Sequence, residues 1–114
     1  MIDSYGFGHI VVDKIPYKND VIVFTDRVQT EWWRKEGHKL QLEDIEGALD
    51  EAQPRALIVG TGKFGIMNVC DDVKKFLIER SITLYAEPTE KAVKIYNRLI
   101  LTDDKILGVF HLTC

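Results

Sequence analysis

At Pro54 the chain changes from short β-branched runs to an alternation of buried strands and amphipathic helices, and that alternation commits the second half to an α/β sheet. Ala56 to Val59 is an unbroken apolar run, as expected of a central strand covered on both faces. Asn68 stands where it can cap a helix with the stripe Val69, Val73, Phe76 and Leu77. Asp71 and Asp72 fall in that helix's first turn, where the dipole favours negative charge. Ile82 to Ala86 supplies the next strand. Pro88 opens a helix whose buried face is Ala92, Val93, Tyr96 and Leu99, and Ile106 to Leu112 closes the series. The direction of this last strand is open, so the sheet is either wholly parallel or mixed.

Ahead of Pro54 the first third is β-rich. His9 to Val12 and Val21 to Phe24 are β-branched runs separated by the turn-forming Lys18-Asn19-Asp20 and are expected to pair antiparallel. Val28, Thr30 and Trp32 alternate with Gln29, Glu31 and Trp33, which extends this meander by a third segment up to Gly37. Leu42, Ile45, Leu49 and Ala52 then form a helical stripe, despite Gly47, which costs about 1 kcal/mol relative to alanine. The fold class expected is a single-domain α/β sandwich over residues 1–114, an N-terminal β meander joined to a βαβαβ run.

Composition narrows the function classes. With 114 residues, 46% of them hydrophobic, the chain suits one globular domain and leaves no room for a second, catalytic one. A net charge of −3 offers no basic field for nucleic acid or an anionic membrane, so neither is an expected partner. The segment MIDSYGFGHI lacks the features of a signal peptide, and a cytoplasmic location is the expectation. Cys70 and Cys114 are far apart and read as reduced thiols, Cys70 as a small buried residue. His9, His38 and His111 have no ligand-spaced companion, and no metal or cofactor is expected.

The stretch VGTGKFG, Val59 to Gly65, matches the dinucleotide spacing Gly60-x-Gly62-x-x-Gly65 after a buried strand, with Glu87 at the end of the next strand, where an acid would meet a ribose. Against that reading, Gly65 precedes the helix cap by three residues, and Lys63 and Phe64 crowd positions that stay small beside a pyrophosphate. The loop is no P-loop either, because Ile66 stands where the phosphate-binding lysine belongs. The plainer account is a tight strand-to-helix turn. Between the two lies a small anion or carboxylate held by exposed amides and Lys63.

Three stretches, WWRKEGHKL, LIVGTGKFG and EPTEKAVKIYNRL, in that order, resemble a small domain family of unknown biochemical function in archaea and bacteria. Its relatives include the mitochondrial complex I assembly factor three and the adipogenesis-associated domain protein of animals. The resemblance spans nearly the whole chain and rests most on Gly60-Thr61-Gly62 and on Thr89, Ala92, Tyr96, Asn97 and Leu99. It implies a three-layer α/β arrangement with a mixed central sheet and a β hairpin layer, distinct from a dinucleotide-binding fold. It also implies work through protein contacts, as an assembly or adapter factor, with no established catalysis. Relatives more often carry a methionine and an acid before Thr89, where this chain has Glu87-Pro88, so Glu87 stands as the displaced equivalent of that acid.

Trp32 and Trp33 point to opposite sides of an extended segment, one into the core and one outward. Trp33 and Arg34 are thus the candidate protein interface, being residue types enriched at binding hot spots. His38, in a loop, is the one histidine to watch as an acid or base. Asp71-Asp72 and Asp103-Asp104 read as a helix start and a turn. Asn97, beside Tyr96 on the last helix, is a poor helix former, and a hydrogen bond at the sheet edge or in a ligand pocket accounts for it. Ligands of open α/β sheets collect beyond the strands' carboxyl ends, here Gly60 to Asn68 and Glu87 to Thr89, flanked by His38. The leading expectation is a non-catalytic domain acting through a protein partner, with self-association open. The alternative is a small-molecule or anion-binding domain, with or without catalysis, built on Gly60, Thr61, Gly62, Lys63, Glu87, Thr89, Tyr96 and Asn97.

Overall fold

A computed structural model describes all residues 1–114. The strands are β1 (Ile2–Gly6), β2 (His9–Val12), β3 (Ile15–Tyr17), β4 (Val21–Val23), β5 (Val28–Gln29), β6 (Lys39–Leu40), β7 (Ala56–Thr61), β8 (Asn68–Val69), β9 (Thr83–Glu87) and β10 (Ile106–His111). The helices are α1 (Leu42–Ala52), α2 (Asp71–Glu79) and α3 (Thr89–Leu99).

A five-stranded sheet in the order β5-β4-β10-β7-β9 forms the middle layer. It is mixed: β10 runs parallel to β7 and antiparallel to β4, and β9 is parallel to β7. Period-two alternation divides its side chains between two cores. Leu57, Val59, Leu107 and Val109 pack with Ile45, Leu49, Val73 and Leu77 under α1 and α2. Ala56, Ile58, Ile106 and Phe110 face the other way, toward Ala92, Val93 and Tyr96 of α3 and Ile2, Ile10 and Val12 of an antiparallel sheet β1-β2-β3. The molecule is therefore a three-layer α/β domain with a mixed central sheet and a hairpin layer.

Four local expectations change. The runs 9–12 and 21–24 do not pair with each other; β2 lies between β1 and β3, and β4 lies between β5 and β10. Ile15-Pro16-Tyr17 claims the second edge of β2, while Val21, Ile22 and Val23, all buried, need a strand covered on both faces. The third extended segment is only Val28–Gln29, because Glu31 turns the backbone to φ 54° and the Trp32 amide donates to the Asp20 carbonyl. Asn68 is no helix cap; it pairs with Lys39 in a short parallel ladder, and Cys70, half-buried, takes the cap position.

Candidate functional site

The carboxyl ends of β7 and β10 meet the first residue of α3, and one hydroxyl joins all three. Thr89, fully buried, donates through Oγ1 to the His111 carbonyl at 2.6 Å and accepts from the Gly62 amide at 2.9 Å. Gly60 leaves room for it, since a Cβ there would lie 2.8 Å from that oxygen. Gly62 has φ 102°, and a Cβ on it would stand 2.6 Å from the Thr113 carbonyl. The loop's donors are also spent inward: the Lys63 amide donates to the Thr113 carbonyl and the Gly65 amide to that of Gly62. The first amide of α3, that of Thr89, likewise goes to the Gly62 carbonyl. These are the groups that a pyrophosphate or a small anion would need.

Next to this latch lies a buried charge cluster that no motif announced. Asp20 Oδ2 is 2.7 Å from His111 Nδ1 and 2.8 Å from Arg34 Nη2, and Oδ1 accepts from the Leu112 amide at 2.8 Å. Burial pushes the Asp20 carboxyl up, but the hydrogen bonds from His111, the Leu112 amide and Arg34 outweigh it and hold the group below its ordinary value. With the Nδ1 proton donated to Oδ2, the 3.1 Å approach of Arg34 Nη2 to Nδ1 is a convergence of two donors on one oxygen. His111 Nε2 and Arg34 Nη1 are buried without a protein partner. The His38 ring stands edge-on to His111, with centroids 6.0 Å apart. A carboxylate-oriented imidazole is the general-base part of a catalytic triad, yet no hydroxyl or thiol bonds to Nε2. The visible work of the cluster is to clasp the 32–34 segment and the last strand to Asp20.

The sequence-derived candidates thus separate. Thr61 and Glu87 share a cleft of about 370 Å³ with Phe64, Asn68, Lys74 and Pro88, at the predicted crevice. Glu87 lies 3.5 Å from Lys91 Nζ. Tyr96 is in the core, edge-on to Phe110, where burial pushes its phenol well above the ordinary value. Asn97 joins the hairpin layer, accepting from the Ile2 amide at 2.8 Å and donating to the Ile2 carbonyl at 2.7 Å. Trp32 is buried and Trp33 is 67% exposed. Arg34, grouped with Trp33 as an interface residue, is instead turned inward, its side chain only 4% exposed, because Asp20 supplies a buried counter-charge. A larger hollow of about 530 Å³ lies elsewhere, between α1 and α2, with Arg80 stacked on Phe76 at its wall.

Four exposed apolar residues lie on segments tied to the same end as the latch. Phe7 precedes Gly8, whose amide donates to the Leu112 carbonyl, and Phe64 follows Lys63, tied to Thr113. Trp33 precedes Arg34, bound next to His111, and Ile66 precedes Met67, whose amide donates to the Thr61 carbonyl. The sequence held the exposed tryptophan. It did not show that two other loops bring Phe7, Phe64 and Ile66 to the same pole.

Solved structures repeat this architecture. A conserved hypothetical protein from Pyrococcus horikoshii superposes with a TM-score of 0.84 at 26% identity, over 100% of this chain and 99% of that one. A Bartonella henselae protein described as an outer membrane protein gives 0.81 at 23% identity, over 99% and 94%. A Bordetella pertussis protein described as a Mth938-like domain gives 0.78 at 16% identity, over 98% and 85%. The last two show the fold alone. Residues 2–111 match the family model described as a protein of unknown function (DUF498/DUF598), and the chain belongs to that family.

Proposed function

We propose that this domain works through protein contacts, as an assembly or adapter factor, by way of the pole at the carboxyl ends of β7 and β10. The observation that supports it is the convergence of Phe7, Trp33, Phe64 and Ile66, all exposed, on loops anchored to residues 111–113 and 61. Grouped exposed apolar side chains mark interaction sites, whereas the same residues scattered would need no explanation. Beneath them the Thr89 latch and the Asp20 clasp hold the loops in place, which lowers the ordering cost of binding. The partner that fits is a protein chain presenting an apolar segment.

A photo-crosslinking residue placed at Phe64 or Trp33 should give one discrete adduct in a native lysate, identified by mass spectrometry. Neither Ile15, in β3, nor Leu101, after α3, both exposed apolar positions, should give it. Adducts of the same pattern from all four positions would overturn the reading.

The cleft of Thr61, Lys74 and Glu87 supports a second reading, a small-molecule site at the strand ends. Small carboxylates or phosphate at a hundredfold excess over their dissociation constant would then stabilise the fold by about 2.7 kcal/mol. That shift should vanish in Lys74→Ala; an unchanged melting temperature across the series removes the reading.

A further inference from the structure

The molecule has several sheet edges, and all but one carry a device that blocks pairing with another chain. At the rim of the central sheet β5 is two residues long, as are β6 and β8 of the small ladder. Within the hairpin layer, β3 contains Pro16, and β1 has a register irregularity between Ile2 and Ser4 with the Ile2 amide and carbonyl both taken by Asn97. At the opposite rim β9 has none of these. Its five residues, Thr83-Leu84-Tyr85-Ala86-Glu87, pair with β7 in unbroken register, contain no proline, and carry one charge, at the end. The Thr83 amide donates to the Arg55 carbonyl, toward β7. By the two-residue period, Leu84 and Ala86 turn their amides and carbonyls to the open side.

We infer that β9 is a self-association edge, which pairs antiparallel with β9 of a second copy about a two-fold axis at Tyr85. This surface is separate from the pole invoked above and does not rest on that reading. The strand is self-complementary in this register. Leu84 of one copy faces Ala86 of the other as a hydrogen-bonded pair, twice by symmetry, using the outward groups of both residues. Tyr85 meets its own equivalent as an aromatic cross-strand pair, and Thr83 faces Glu87, so no like charges are opposed.

The flank of α2 agrees with a second copy as the occupant. Phe76 and Arg80 line the hollow toward α1, so Lys74, which lines the cleft at the strand ends with Ala86 and Glu87, is on the helix flank away from α1. Ile78, one helical turn beyond Lys74, lies on that same flank and is 77% exposed. The turn carries it back by about 6 Å, roughly two strand residues, from Ala86-Glu87 to the level of Tyr85. About a two-fold axis at Tyr85, Ile78 of each copy therefore lies at the level of its equivalent, on the flank that faces it.

Sedimentation velocity over a series from low micromolar to submillimolar protein should show a concentration-dependent dimer of the 13.1 kDa chain. Ala86→Pro removes an outward amide, and Ile78→Glu sets two like charges at the axis. Each should raise the dimer dissociation constant by about tenfold or more. Thermal unfolding checks that each variant is folded, and Ile78→Glu, at an exposed position, carries the test if Ala86→Pro does not fold. A chain carrying Ile78→Cys with Cys70→Ser and Cys114→Ser should oxidise to a disulfide-linked dimer. Wild-type protein that stays monomeric throughout the series overturns the inference, as does a dimer that folded Ile78→Glu leaves unweakened.

Discussion

Thr89 sits where three chain segments would otherwise leave polar groups bare, and its hydroxyl answers two of them at once. Thr89→Val keeps the shape and removes that oxygen, leaving the Gly62 amide and the His111 carbonyl unsatisfied in the interior. Each bared group costs about 1–3 kcal/mol, so urea unfolding should report a loss in that range or above it. Thr89→Ser should restore most of it; a valine variant as stable as wild type would show that water or a relaxed loop does the same work. Gly60, Gly62 and Thr89 stand out in the sequence, and in the structure they approach one another. Spacing identifies glycines that a close approach requires, but whether a ligand or Thr89 approaches is decided by residues 27 positions away. The Asp20 cluster was illegible for the same reason, since Asp20 and His111 are 91 residues apart and Asp20 reads locally as a turn residue.

Elements were legible where both periodicity and length were strong. Apart from Val69, which falls in β8 rather than α2, the stripes of α1, α2 and α3 and the apolar runs of β7 and β10 sit where the pattern placed them, because burial on one face of a helix or both faces of a central strand leaves a dense signal. The short strands were not legible. Ile2–Gly6 has no apolar alternation, and β6 and β8 are held as much by each other as by their own residues. Asn97 shows how such a strand is kept. Its amide meets the backbone of Ile2 from the helix, closing the end of β1 as a neighbouring strand would. Asn97→Ala should cost about 1–3 kcal/mol and, more tellingly, speed hydrogen exchange at Ile2 while leaving the β7 and β10 amides protected. Uniform loss of protection across all three strands would mean that the hairpin layer and the central sheet open as one unit.

At the scale of the whole molecule, the Asp20 clasp ties the turn before β4, the 32–34 segment and the end of β10 into one body, so its protonation bears on global stability. Replacing Asp20 with Asn leaves Arg34 without its counter-charge in the interior, a loss of about 3–5 kcal/mol at neutral pH. The sign of the pH dependence follows from the carboxyl's lowered value. The folded state binds the Asp20 proton less readily than the unfolded chain, whose value is the ordinary 3.8. The contribution is therefore complete above that pH and disappears as the pH falls from there through the lowered folded value. Urea unfolding of wild type and Asp20→Asn should show the same stability gap at about pH 7 and about pH 5 and a narrower one at about pH 3. A gap that stays constant to pH 3 would mean that Asp20 has the same proton affinity folded and unfolded. The clasp would then owe its strength to shape and hydrogen-bond geometry rather than to the buried charge.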